Sequence, residues 1–102
     1  MIGEALRLIR VFHDVKLTAM AESLDVAVSY LSEVENGKRK PNLELVDKYA
    51  RHFKIRPSAI LFFAEEIGME TLSDRLKSSV RNKMLMLMKA IEKYGLVESN
   101  EV

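Results

Sequence analysis

The stretch Val26-Ala27-Val28-Ser29-Tyr30-Leu31-Ser32-Glu33-Val34-Glu35-Asn36-Gly37-Lys38 decides how the whole chain is read. At 100° per residue, a helix here gathers Ala27, Tyr30, Leu31 and Val34 on one side and Val28, Ser29, Ser32, Glu33 and Asn36 on the other. The first side is a core face. The second is small, mostly polar and free of lysine, which is unusual for a solvated helix but suits a surface that enters a DNA major groove, where hydroxyls bond base edges and a valine touches a thymine methyl. The helix is expected to run from 27 or 28 to 36, stopped by Gly37, which takes the left-handed conformation favoured at helix ends.

Working outward, Met20, Ala21 and Leu24 give a short preceding helix ended at Asp25 and Val26. Before it, Ile2, Leu6, Ile9 and Val15 recur at helical intervals, which predicts a first helix over 3–13. Downstream, a basic loop reaches Pro41. Asn42 is a good N-cap and Glu44 suits the positive end of a helix dipole. The fourth helix is therefore expected to turn Leu45, Val46, Tyr49, Ala50 and Phe53 inward and to end at Lys54. Pro57 opens a fifth helix bearing Ile60, Leu61 and Phe63, and Gly68 breaks the pattern. A last helix is expected over 71–94, closed by Gly95. There is no internal repeat and no low-complexity tract.

The ordered positions in this run, from Leu6-Arg7 and Ile9-Arg10 through Met20-Ala21-Glu22-Ser23-Leu24 and the 26–38 segment to Pro41 and Leu43-Glu44-Leu45, resemble the phage-repressor and Cro type of helix-turn-helix domain. The resemblance covers about the first 65 residues. It implies an all-α fold, a five-helix lambda-repressor-like domain plus a long C-terminal helix, with the third helix as the recognition helix. By that resemblance Val28, Ser29 and Glu33 read bases with Ser32 beside them. Asn36, Lys38 and Lys40, with the amides opening the second and fourth helices, hold phosphates, and the place of the Lys38-Arg39-Lys40 run directly after the recognition helix adds Arg39 to them. Arg10 and Glu35 match a pair that bridges the first and third helices, so Arg10 is not counted as a DNA contact. Tyr30 is either a packing residue or a phosphate ligand. Three positions depart from the family pattern. Leu17 stands where the family often has Gln, with Thr18 as an imperfect substitute phosphate ligand. Glu33 accepts from cytosine but is repelled by phosphates, and Val28 offers no hydrogen bond, so the site is expected to be read partly by methyl contacts and shape.

Composition agrees with this reading and narrows it. The chain has 102 residues, 48% of them hydrophobic and 30% charged, with two Pro and four Gly, which suits one folded helical domain with an appendage. A formal charge of +1 argues against bulk electrostatic binding, so DNA affinity must come from where the charges sit. They sit unevenly, with Lys38, Arg39 and Lys40 consecutive. No cysteine is present, and His13 and His52 have no partners at metal-ligand spacing, so no metal and no cofactor is expected. No apolar run is long enough for a membrane span, and Glu4, Arg7 and Arg10 interrupt any signal-like start. A cytoplasmic protein is the expectation. An enzyme is not, because no paired carboxylates, phosphate-cradling Gly loop or partnered nucleophile is in view.

The C-terminal segment carries a separate expectation. Leu76, Val80, Met84, Leu87, Ile91 and Tyr94 are spaced 4, 4, 3, 4 and 3, close to a coiled-coil seam. The run Met84-Leu85-Met86-Leu87-Met88 passes all the way round a helix and needs covering on more than one side. The fifth helix could cover one side and a second subunit the other. A homodimerisation segment over 68–102, using Leu76, Val80, Met84, Leu87, Met88 and Ile91, is therefore expected beside a DNA-binding domain over 1–67. The expected function is a sequence-specific regulator of double-stranded DNA, a homodimeric repressor at a palindromic operator. The alternative is an antitoxin-like interaction protein whose C-terminal helix binds a protein partner.

Overall fold

Local backbone chemistry sets most of the helix boundaries. In the computed structural model, which describes residues 2–68 and 80–94, the helices are α1 (Ile2–Phe12), α2 (Leu17–Leu24), α3 (Val28–Glu35), α4 (Leu43–Phe53), α5 (Pro57–Gly68) and α6 (Val80–Tyr94). Asp25 ends α2 and Lys54 ends α4 in the left-handed conformation, each turning its amide back to carbonyls of the last turn. Gly37, at φ 79°, turns the chain out of α3. Asn42 caps α4, its Oδ1 accepting from the Leu45 amide at 2.9 Å. Pro57 starts α5, where its missing N–H costs nothing. Among the described residues, no helix is long and apolar enough to cross a membrane.

The inward faces meet in one core. Leu6 and Ile9 of α1, Met20 and Leu24 of α2, Leu31 and Val34 of α3, Tyr49 of α4 and Ile60, Phe63 and Ile67 of α5 are all buried. Two positions differ from the sequence reading. Ala27 is exposed, because it is the N-cap of α3 with extended backbone, and a helical wheel does not govern a residue outside the helix. Leu61 is 40% exposed, since α5 turns Ala59, Ala64 and Ile67 to the core instead. Phe53 is only half-buried, flanked by the rings of His13 and His52 at the surface.

The last helix lies on the same body. It packs chiefly on α5, which itself rests on α1. Leu87 and Ala90 are buried, and the rings of Tyr94 and Phe62 stand 5.0 Å apart. At the other end Lys83 reaches Glu4 of α1 at 3.0 Å. The expected seam is thus divided. Leu87 belongs to the chain's own core and is withdrawn from any dimer surface, Ile91 is half-buried, and Met84, Leu85 and Met88 stay 40%, 48% and 57% exposed. Residues 71–79, with Leu76 and the expected start of this helix, lie outside the described residues, as does the side chain of Val80.

Candidate nucleic-acid interface

The interface candidate is α3 together with what anchors its inner side and what flanks its outer side. Three contacts from distant segments hold the inner side. Gly3 of α1 lies so close to the end of α3 that an added Cβ would overlap the carbonyl oxygen of Val34. From the next two turns of α1, Arg10 forks onto Glu35, with Nε 2.9 Å from Oε2 and Nη2 2.8 Å from Oε1. Its remaining Nη1 donates to the Val15 carbonyl at 2.7 Å, tying down the loop into α2. From α4, the Tyr49 hydroxyl donates to Glu35 Oε2 at 2.5 Å. Glu35 is 4% exposed, so its carboxylate is spent inside the fold and presents no charge to a polyanion.

The electrostatics of this cluster are one-sided. The hydrogen bonds to Glu35 raise the Arg10 pKa, against the opposing pull of burial. Burial, and then the bond to Glu35, push the Tyr49 hydroxyl well above the ordinary tyrosine value. Arg10 therefore stays a cation and Tyr49 a neutral phenol throughout the physiological range, and their bonds to Glu35 fix the rotation of α3 about its own axis.

With Leu31, Val34 and Glu35 facing in, Val28 and Ser29 are exposed and Ser32 and Glu33 are half-exposed on the outer side. The structure thus brings the four proposed base-reading residues onto one open face. Ala27 caps α3 without a side-chain hydrogen bond, and Lys16 does the same for α2. Neither helix carries an acidic residue in its first turn, so no carboxylate there competes with an anion for those amides. Thr18 is exposed in the first turn of α2. Leu17, the departure from the family pattern, is partly buried and packs on the core. Lys48 of α4 donates to the Leu24 carbonyl at 3.0 Å, clamping the end of α2 where the turn into α3 begins.

Beyond Gly37 the loop doubles back. The amides of Lys38 and Arg39 bond the Glu33 carbonyl at 2.8 and 3.2 Å. The proposed phosphate ligands then differ among themselves. Lys38 and Lys40 are exposed, and among the described residues their side chains have no partner. Asn36 gives its amide to the Ser32 carbonyl at 2.9 Å and hydroxyl at 3.3 Å. Arg39 bonds Glu33, with Nε 2.9 Å from Oε1, and lies 5.5 Å from the centre of the Tyr30 ring. Tyr30 is half-buried and packs on the core edge. Sequence reasoning missed the Arg39 to Glu33 contact. The signal was there in Gly37, whose left-handed turn sends the chain back along α3. It also missed Tyr49 as the second partner of Glu35 and Gly3 as the point of closest helix approach, for which the local pattern holds no sign.

A family model described as helix-turn-helix matches residues 6–60, more than half of the chain, from α1 into α5. No curated protein and no solved structure matches it.

Proposed function

The chain belongs to the helix-turn-helix family that its residues 6–60 match, and we propose that it is a cytoplasmic, homodimeric repressor reading a palindromic operator through α3. Membership makes it a DNA-binding transcriptional regulator, and the family is one of regulators rather than enzymes. The observation that carries the finer reading is the pairing of an open face, Val28, Ser29, Ser32 and Glu33, with the exposed Lys38 and Lys40 directly beyond the end of that helix. Such a helix sits in the major groove while the flanking cations and the amides of α2 grip the backbone.

Dimerisation is supported by Met84, Leu85 and Met88, which form an exposed apolar strip on α6 that no described residue covers, its other side being used on α5. One recognition helix with two serines and a carboxylate makes few base contacts. Two tethered copies bind half-sites about one turn apart and gain roughly 10² or more through effective concentration.

The test compares the full chain with Met88→Glu by sedimentation and by binding to a palindromic and a half-site duplex. The reading expects a dimer that prefers the palindrome, converted by Met88→Glu to a monomer without that preference. Ser29→Ala should lose affinity at the selected site only, whereas Lys38→Ala should weaken all sequences alike and make the salt slope shallower by about one. A wild-type monomer that binds the half-site as tightly as the palindrome overturns the dimeric reading. It would leave the α6 strip to the antitoxin-like reading, in which a different protein covers it.

A further inference from the structure

Of the three consecutive cations after α3, only Arg39 has a side-chain partner among the described residues. It touches α3 at two residues three apart, Glu33 through a 2.9 Å Nε to Oε1 bond and Tyr30 through a guanidinium 5.5 Å from the ring centre. Residues at that spacing share one edge of a helix, so Arg39 lies along the edge rather than reaching away from it. Its own amide is bonded to the Glu33 carbonyl at 3.2 Å, so the loop and the side chain are anchored at the same residue. Among the described residues, the second carboxylate oxygen of Glu33 has no partner.

A lone glutamate on a groove-facing helix has two handicaps: rotational freedom and repulsion from the phosphates on both sides. Arg39 counters both, by holding one oxygen and by placing a compensating charge beside it. The oxygen left open is an acceptor, and the strong major-groove donor that a carboxylate takes is the cytosine amino group. We propose that Arg39 is a positioning residue for base readout: braced on Tyr30, it fixes the Glu33 carboxylate so that the domain selects a C·G pair at the position facing Glu33. This rests on α3 being the recognition helix, and it removes Arg39 from the set of phosphate ligands in which the sequence pattern had placed it.

The test uses the full-length protein and a duplex selected from random sequence, with each base pair then varied in turn. Glu33→Ala and Arg39→Ala should flatten the preference at one and the same position by roughly five-fold or more, the low end of what one base-reading pair supplies. The double variant should be no flatter than Glu33→Ala alone. Arg39→Lys should fail to restore the preference, because an ammonium has neither the planar face nor the fork of a guanidinium. Salt dependence should not change. Arg39→Ala that weakens every duplex alike, with a salt slope shallower by about one, would make Arg39 a phosphate ligand and overturn the proposal. Full rescue by Arg39→Lys would overturn it too, since charge alone would then suffice. If Glu33→Ala leaves the base pattern intact, the assignment of Glu33 to the groove fails and the proposal with it. A pattern that depends on Glu33 but ignores Arg39 overturns the positioning role alone.

Discussion

Replacing Arg10 by Met should be among the most destabilising single changes available outside the apolar core. The substitution keeps the length of the stem but strands the Glu35 carboxylate, whose side chain is 2% exposed, with the Tyr49 hydroxyl as its one remaining donor among the described residues. It also leaves the Val15 carbonyl without its 2.7 Å partner. Removing one member of a buried ion pair costs about 3 to 5 kcal/mol. Because Tyr49 still donates and the Arg10 side chain keeps 13% exposure in the native pair, the lower end, about 3 kcal/mol, is expected here. For a domain of this size that is a fall in Tm of roughly 12 to 24 °C. Removing the pair altogether, as Arg10→Met with Glu35→Leu and Tyr49→Phe, should recover most of the loss, since well-packed apolar replacements of buried pairs are near neutral. Thermal and urea unfolding followed by circular dichroism measure both. An Arg10→Met protein within about 1 kcal/mol of the parent would refute the reasoning, since a loss that small is typical of exposed ion pairs.

Three further outcomes are expected. Tyr49 keeps its proton in the fold well above its ordinary value, whereas in the unfolded chain it ionises near pH 10, so its contribution is intact below about pH 10 and is lost as pH rises beyond it. The alkaline limb of stability against pH should accordingly be shallower in Tyr49→Phe by the equivalent of one proton, and equal slopes in the two proteins would contradict this. Gly3→Ala should cost about 1 to 3 kcal/mol in urea unfolding, because the new methyl meets a backbone carbonyl that cannot swing aside. Met69→stop, leaving residues 1–68, should still unfold cooperatively but at lower temperature, because Leu87 and Ala90 no longer cover α5. A non-cooperative melt would show that α6 is indispensable to the fold and that no independent domain ends near residue 67.

The sequence by itself determined where the first five helices are and which kind of domain they build. Gly37, Asn42 and Pro57 mark boundaries through their own backbone chemistry, and the apolar spacing of α1, α3 and α4 names most of their buried faces, because periodicity is a local property of a helix. The open row of Val28, Ser29, Ser32 and Glu33 follows from the same periodicity. Arg10 and Glu35 were paired by resemblance, and no spacing within the chain connects two residues so far apart. What touches what was decided only in three dimensions. Gly3 leaves no room for a side chain because α1 meets the end of α3 there, and Tyr49 completes the Glu35 cluster because α4 brings its hydroxyl to that carboxylate. The seam of α6 reads as one stripe in the sequence, yet packing on α5 takes Leu87 and Ala90 inward and leaves Met84, Leu85 and Met88 to the solvent. Arg39, one of three equivalent cations in the sequence, is distinguished from Lys38 and Lys40 by a turn at Gly37 that folds it back on Glu33 and Tyr30. Periodicity fixes the side of a helix on which a residue lies, but its partner depends on how segments distant in the chain are packed together.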